Sequence, residues 1–93
     1  MEHQKKDGDI DQEFLESKLK YYVEVQGNEL KVGDHFRYTS SIYQQFDRRK
    51  CIYAVVKEKK DNILIVSGYN SSYDNWVIDP TNKFKKFRFY VKK

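Results

Sequence analysis

Two tyrosines and the chain's only tryptophan fall within one short polar stretch, Ser67-Gly68-Tyr69-Asn70-Ser71-Ser72-Tyr73-Asp74-Asn75-Trp76-Val77. Aromatic rings crowded onto a turn of Gly, Asn, Ser and Asp can attract a cation to their negative faces or stack on a nucleobase. Three basic clusters supply charge for the second use. They are Arg48-Arg49-Lys50, then Lys57, Lys59 and Lys60, then the C-terminal run with Lys83, Lys85, Lys86 and Arg88. Phosphates would meet these cations while bases stack on exposed rings. A competing account gives Phe84, Phe87 and Phe89 to closing the core and leaves the lysines as a solvated surface. The alternation in Phe87-Arg88-Phe89-Tyr90-Val91 fits that account.

Other chemistries find little support. No nucleophile–base pair and no phosphate loop stands out, so the expectation is a non-catalytic module without a cofactor. His3 and His35 are far apart and lack a Cys or carboxylate cluster at ligand spacing, which argues against a zinc site. Cys51 is the single cysteine, so no intrachain disulfide can form, and a reducing compartment is expected. Its run, Lys50-Cys51-Ile52-Tyr53-Ala54-Val55-Val56, reads as a strand with the thiol as a small buried apolar group. No apolar run approaches membrane-spanning length and no signal-peptide core is evident, so a soluble protein without a membrane partner is expected.

The 93 residues make one small domain, well supplied with rings at 16% aromatic. Charge is uneven: residues 1–30 sum to −4 and residues 31–93 to +8, for the net +4. A basic body behind an acidic segment suits contact with a polyanion.

The elements that must position these residues follow from pattern. Residues 1–9 read as a disordered tail. Ile10, Phe14, Leu15 and Leu19 recur at helical spacing and predict a helix over about 11–20. Tyr21 to Val25 and Glu29 to Val32, around the turn Gln26-Gly27-Asn28, predict a hairpin. His35 to Thr39 alternates as a strand after the turn Gly33-Asp34. Residues 40–48 read as a loop. Arg49 to Lys59 is the longest strand, with Ile52, Ala54 and Val56 on one face and Cys51, Tyr53 and Val55 on the other. Lys60-Asp61-Asn62 turns it back into Ile63 to Ser67. Trp76 to Ile78 is a short strand ended by Asp79-Pro80, and Lys83 to Lys93 is strand or short helix. Tyr69, Tyr73 and Trp76 also match a helical stripe, but Gly68, Asn70, Ser71, Ser72 and Asn75 make a poor helix. Instead, Asn70 and Asp74 can bond nearby backbone and hold a turn. Short strands with tight turns predict a mainly β fold, a small barrel or sandwich, over residues 10–93.

This order of residues resembles the chromo barrel (Tudor-knot) domain. Val32-Gly33-Asp34 precedes a strand, a long strand ends in lysines, and Ile63-Leu64-Ile65-Val66 leads into Gly68-Tyr69-Asn70 and Asp74-Asn75-Trp76-Val77. The likeness covers roughly residues 30–80. That domain opens MYST-family histone acetyltransferases, MORF-related-gene proteins and male-specific-lethal chromatin subunits. It implies an SH3-like barrel, here with the short helix and hairpin added, in a nuclear chromatin protein. Some members bind RNA or DNA through a basic face; others hold methylated lysine of histone tails in an aromatic cage. Cage positions map onto Tyr69 and Tyr73, with Tyr38 and Trp76 as further walls. A third position falls on Val66, and a fourth on Ile52 or Tyr53 according to register. Asn75 replaces the acidic residue before the tryptophan. Nucleic-acid binding is the leading expectation and a histone-tail reader the alternative. In either case subunits of a chromatin-modifying complex would be partners, and a catalytic domain could follow Lys93. A protein-interaction barrel from a phage or bacterium is the third reading, since fold does not fix function.

Overall fold

The computed structural model describes residues 12–41, 50–68 and 75–93. The predicted tail, most of the predicted 40–48 loop, Arg48, Arg49, Tyr69 and Tyr73 lie outside the described residues.

Helix α1 (Gln12–Lys18) carries Glu13 in its first turn and Lys18 in its last, the arrangement its dipole favours, and buries Leu15. It leads into β1 (Tyr22–Val25), followed by a single 3-10 turn at Gly27–Glu29. Strands β2 (His35–Thr39), β3 (Ile52–Lys60), β4 (Ile63–Gly68), β5 (Asn75–Ile78) and β6 (Arg88–Lys92) complete the described elements. All pair antiparallel in one sheet of order β1-β6-β2-β3-β4-β5. The molecule is mainly β, a small barrel-like sheet with one short helix.

Alternation sorts the side chains. Facing strand partners share a side of the sheet. Tyr38 opposes Ile52 and Phe36 opposes Ala54, while Arg37 opposes Tyr53. Phe36, Tyr38, Ala54, Val56, Leu64, Val66, Ile78 and Phe89 therefore form one buried core, joined by Leu30 from the segment after the 3-10 turn. The opposite face carries Tyr22, Glu24, Arg37, Tyr53 and Tyr90, and α1 lies over part of it, with Leu15 and Leu19 bordering Tyr22 and Tyr90.

The sheet curls around its core. Strands β2 and β5 are three steps apart, about 14 Å in a flat sheet, yet the Trp76 indole N–H donates to the Tyr38 hydroxyl at 2.8 Å. At the opposite edge Gly27, just past β1, sits so close to Pro80, just past β5, that a Cβ there would lie 2.5 Å from the proline Cβ. A register shift between Val56 and Glu58 marks a bulge that bends β3 between its two ends. The turn of the β3–β4 hairpin places Asp61 at φ 54°, a conformation Asp tolerates better than most residues.

One predicted element is corrected. Residues 21–32 do not form a hairpin. β1 pairs with β6, with Tyr22 opposite Lys92 and Val25 opposite Phe89. The backbone after β1 is diverted by local bonds: the Gln26 N–H donates to the Glu29 carboxylate at 2.6 Å, and Gly27 is wedged against Pro80 and Phe89. Leu30 then drops into the core, and Lys31 to Asp34 turns tightly, with Gly33 at φ 93° and the Lys31 N–H bonded to the Asp34 carboxylate at 2.8 Å.

Candidate nucleic-acid interface at one end of the barrel

β2 ends at Thr39 and continues into Ser40 and Ser41, both of which grip the turn that precedes β6. The Ser40 hydroxyl and the Ser41 N–H both donate to the Lys85 carbonyl, at 2.8 and 2.7 Å. The Ser41 hydroxyl donates to the Phe84 carbonyl at 2.8 Å. From the other side, Asn82 Oδ1 accepts the N–H groups of Phe84 and Lys85 at 2.9 and 3.2 Å. This is the local side-chain-to-backbone bonding that makes Asn a turn former. The Lys86 N–H reaches the Asn82 carbonyl at 3.4 Å, and Lys86 takes φ 44°. Upstream, Asp79 Oδ1 accepts the Thr81 N–H and hydroxyl at 3.0 and 2.6 Å, and these bonds hold its carboxyl below the usual carboxylate range.

A cleft of about 150 Å³ opens beside this turn, lined by Tyr38, Ser40, Trp76, Lys85 and Phe87 among others. Tyr38 is 1% exposed, with Phe36 and Phe87 packed on it at 5.8 Å between centroids. Its hydroxyl accepts the Trp76 indole N–H at 2.8 Å. Trp76 and Phe87 are half-buried and present ring surface. Lys85, one of the lining residues, is exposed, as are its chain neighbours Lys83 and Lys86.

The predicted cage residues separate. Tyr38 and Trp76 come together. Tyr53 is on the other side of the sheet, because register places Ile52 opposite Tyr38. There the Arg37 guanidinium covers its ring at 4.9 Å from the centroid, and His35 meets it edge-on at 6.0 Å. Val66 is fully buried in the core.

The predicted basic residues separate too. Ser40 and Lys50 leave the sheet together, two positions beyond the Tyr38–Ile52 pair, so Lys50 belongs to the cleft end with Lys83, Lys85 and Lys86. Lys57 and Lys60 are exposed in the far half of the nine-residue β3, about 17 and 26 Å from its start. Lys59, returned to the core side by the bulge, donates its ammonium to the Asn28 and Leu30 carbonyls at 2.7 and 2.8 Å, so its work is structural. Arg88 makes a two-pronged bond with Glu24 at 2.9 and 3.2 Å and caps the Tyr90 ring at 5.8 Å. A larger cleft, about 330 Å³, lies between α1 and the β1–β6 edge; it is lined by Lys20, Arg88 and Lys93 together with Glu16 and Glu24, so its charge is mixed, and Arg88 is already matched by Glu24. Cys51 is half-buried; burial pushes its thiol up, more than the adjacent Arg37 lowers it.

Sequence pattern alone did not single out Ser40, Ser41 and Asn82 as the braces of the turn. It also set Phe84 in the core account, whereas Phe84 is 92% exposed. The available signal was phase: Phe87 and Phe89 are two apart, as strand neighbours on one face must be, and Phe84 is out of step with both.

No family model, curated protein or solved structure matches this chain.

Proposed function

We propose that this chain is a non-catalytic binding module that holds RNA or DNA against the barrel end carrying Lys50, Lys83, Lys85 and Lys86. The observation that carries the proposal is that exposed Lys85 is among the residues lining the Trp76–Phe87 cleft, with exposed Lys83 and Lys86 next to it in the same turn. Among the described residues no ion pair engages these three ammoniums. Cations around aromatic surface are what a polynucleotide needs: phosphates displace counterions onto the lysines, and bases find rings to cover. By its resemblance to chromo barrels, we further propose that the module belongs to a nuclear, chromatin-associated protein.

One observation favours the methyl-lysine alternative, namely that Tyr38 and Trp76 meet. Two others weigh against it. Tyr38 offers almost no exposed ring, and the cleft counts Lys85 among its lining residues, a cation that disfavours a second one.

The test is a titration of fluorescent oligonucleotides with the full chain. Replacing Lys83, Lys85 and Lys86 together by Gln should weaken binding by roughly tenfold or more at low salt. Replacing Lys57 and Lys60 at the other end should change it far less. Equal losses from the two ends, or tight binding of trimethyl-lysine peptides in preference to unmodified ones, would overturn the proposal.

A further inference from the structure

We propose, resting on the nucleic-acid reading above, that Phe84 is a base-stacking residue and that the nucleic acid taken at this end is single-stranded. Phe84 is 92% exposed, more than any other large hydrophobic residue among those described. A lone exposed apolar side chain is ordinary by itself. What distinguishes this one is how firmly its backbone is held. Its N–H is bonded to Asn82 Oδ1 at 2.9 Å and its carbonyl to the Ser41 hydroxyl at 2.8 Å. The next residue is tied at both polar groups as well, through Asn82, Ser40 and Ser41. The Lys86 φ of 44° lies in a region that residues with a Cβ rarely adopt, so the turn keeps this shape against local preference. The ring is therefore presented outward by a pre-organised turn, which lowers the ordering cost of binding.

The surroundings identify the occupant. Lys83, Lys85 and Lys86 flank the ring and are exposed. A partner must supply negative charge at short intervals and a flat apolar face between the charges. A polynucleotide has both in each nucleotide. In a duplex those faces are already stacked on one another, and opening a step costs several stacking contacts, so the free faces of unpaired bases are the matching surface. An anionic membrane also has charge and apolar depth. However, one phenyl group inserts less apolar surface than a single acyl chain, which itself gives only marginal attachment. The strand's path continues past Lys85, which the turn shares with the Trp76–Phe87 cleft.

Fluorescence anisotropy with the full chain tests this. A labelled single-stranded dodecamer and its duplex are compared at one low salt concentration for the parent protein, Phe84→Ala and Phe84→Tyr. Because the ring is solvent-exposed, all three should melt within a degree or two of one another. Phe84→Ala should lose about tenfold or more in affinity for the single strand. Phe84→Tyr should stay within about twofold of the parent, since it keeps a ring to stack. Duplex binding should be weaker and nearly indifferent to both changes. If Phe84→Ala binds the single strand like the parent while binding stays salt-sensitive, the stacking role is overturned and the basic-face reading stands. If the parent binds neither oligonucleotide, both fall. Sedimentation with phosphatidylcholine–phosphatidylserine vesicles is the parallel arm. Retention of the parent but not of Phe84→Ala, with oligonucleotide affinity unchanged, would overturn the proposal in favour of membrane insertion.

Discussion

Tyr38 and Tyr53 look interchangeable as strand tyrosines, yet they have opposite environments. Tyr38 sits in the core with its hydroxyl on the Trp76 indole; Tyr53 lies on the outer side under Arg37. A period of two puts them there, and the Ile52–Tyr38 register fixes which of Ile52 and Tyr53 can reach the cleft. Gly27 makes a sharper point at this scale. Its missing side chain lets the chain after β1 touch Pro80 and Phe89, where a Cβ would approach to 2.5 and 3.0 Å. Gly27→Ala should therefore destabilise the domain by about 1–3 kcal/mol, a fall of several degrees in the thermal midpoint. An unchanged midpoint would mean that the edges do not close there. Trp76→Phe should cost about 1 kcal/mol by removing the donor to the Tyr38 hydroxyl, read in the same melt. The alternation was legible in the sequence, so the faces of β2 and β3 were assigned from it. The Gly27–Pro80 contact was not, because it joins residues more than fifty positions apart that only the curled sheet brings together.

Elements with local signals read well. The β3–β4 hairpin announces itself by two apolar runs around Asp61-Asn62, and α1 by its periodic apolar positions. β1 was legible as a strand but its pairing was not, because its partner is at the other end of the chain and nothing near Tyr22 specifies Lys92. Part of what fastens that distant pairing is the Glu24–Arg88 bond across β1 and β6. The Arg88 hydrogen bond, opposed by partial burial, holds the Glu24 carboxyl below its ordinary value of 4.5. A lowered pKa in the folded state means that the contribution is complete above the ordinary carboxyl value and disappears as pH falls through the lower, folded value. Both side chains are nearly half-exposed, at 48% and 44%, so screening keeps the contribution to about 0.5 kcal/mol. Glu24→Gln should lower the melting midpoint by a few degrees at neutral pH and by nothing in acid well below the carboxyl range. A gap that persists in acid would assign the effect to packing instead. Lys59 fastens another junction, tying β3 to the carbonyls of Asn28 and Leu30. Lys59→Met should cost about 1 kcal/mol of stability while leaving oligonucleotide affinity close to that of the parent, which separates this lysine from Lys85.

Across the whole molecule, charge is sorted rather than spread. The sequence showed a basic body of +8 over residues 31–93 but not how many of those cations are already engaged. Lys59 and Arg88 turn inward to carbonyls and a carboxylate, Arg37 covers Tyr22 and Tyr53, and Lys57 and Lys60 stand toward the far end. What remains together is Lys83, Lys85 and Lys86 in the turn beside the cleft, with the outward Phe84. The aromatic stretch at 67–77 pointed to this end through Trp76, while the turn at 79–86 was obscured by its resemblance to core-closing phenylalanines. The most direct test is the affinity for a single-stranded dodecamer measured across a series of salt concentrations. Three lysines, each neutralising a phosphate, predict a straight line of log affinity against log salt with a slope of about −2. A slope near zero, or no binding at the lowest salt, would contradict a basic barrel end built to hold nucleic acid.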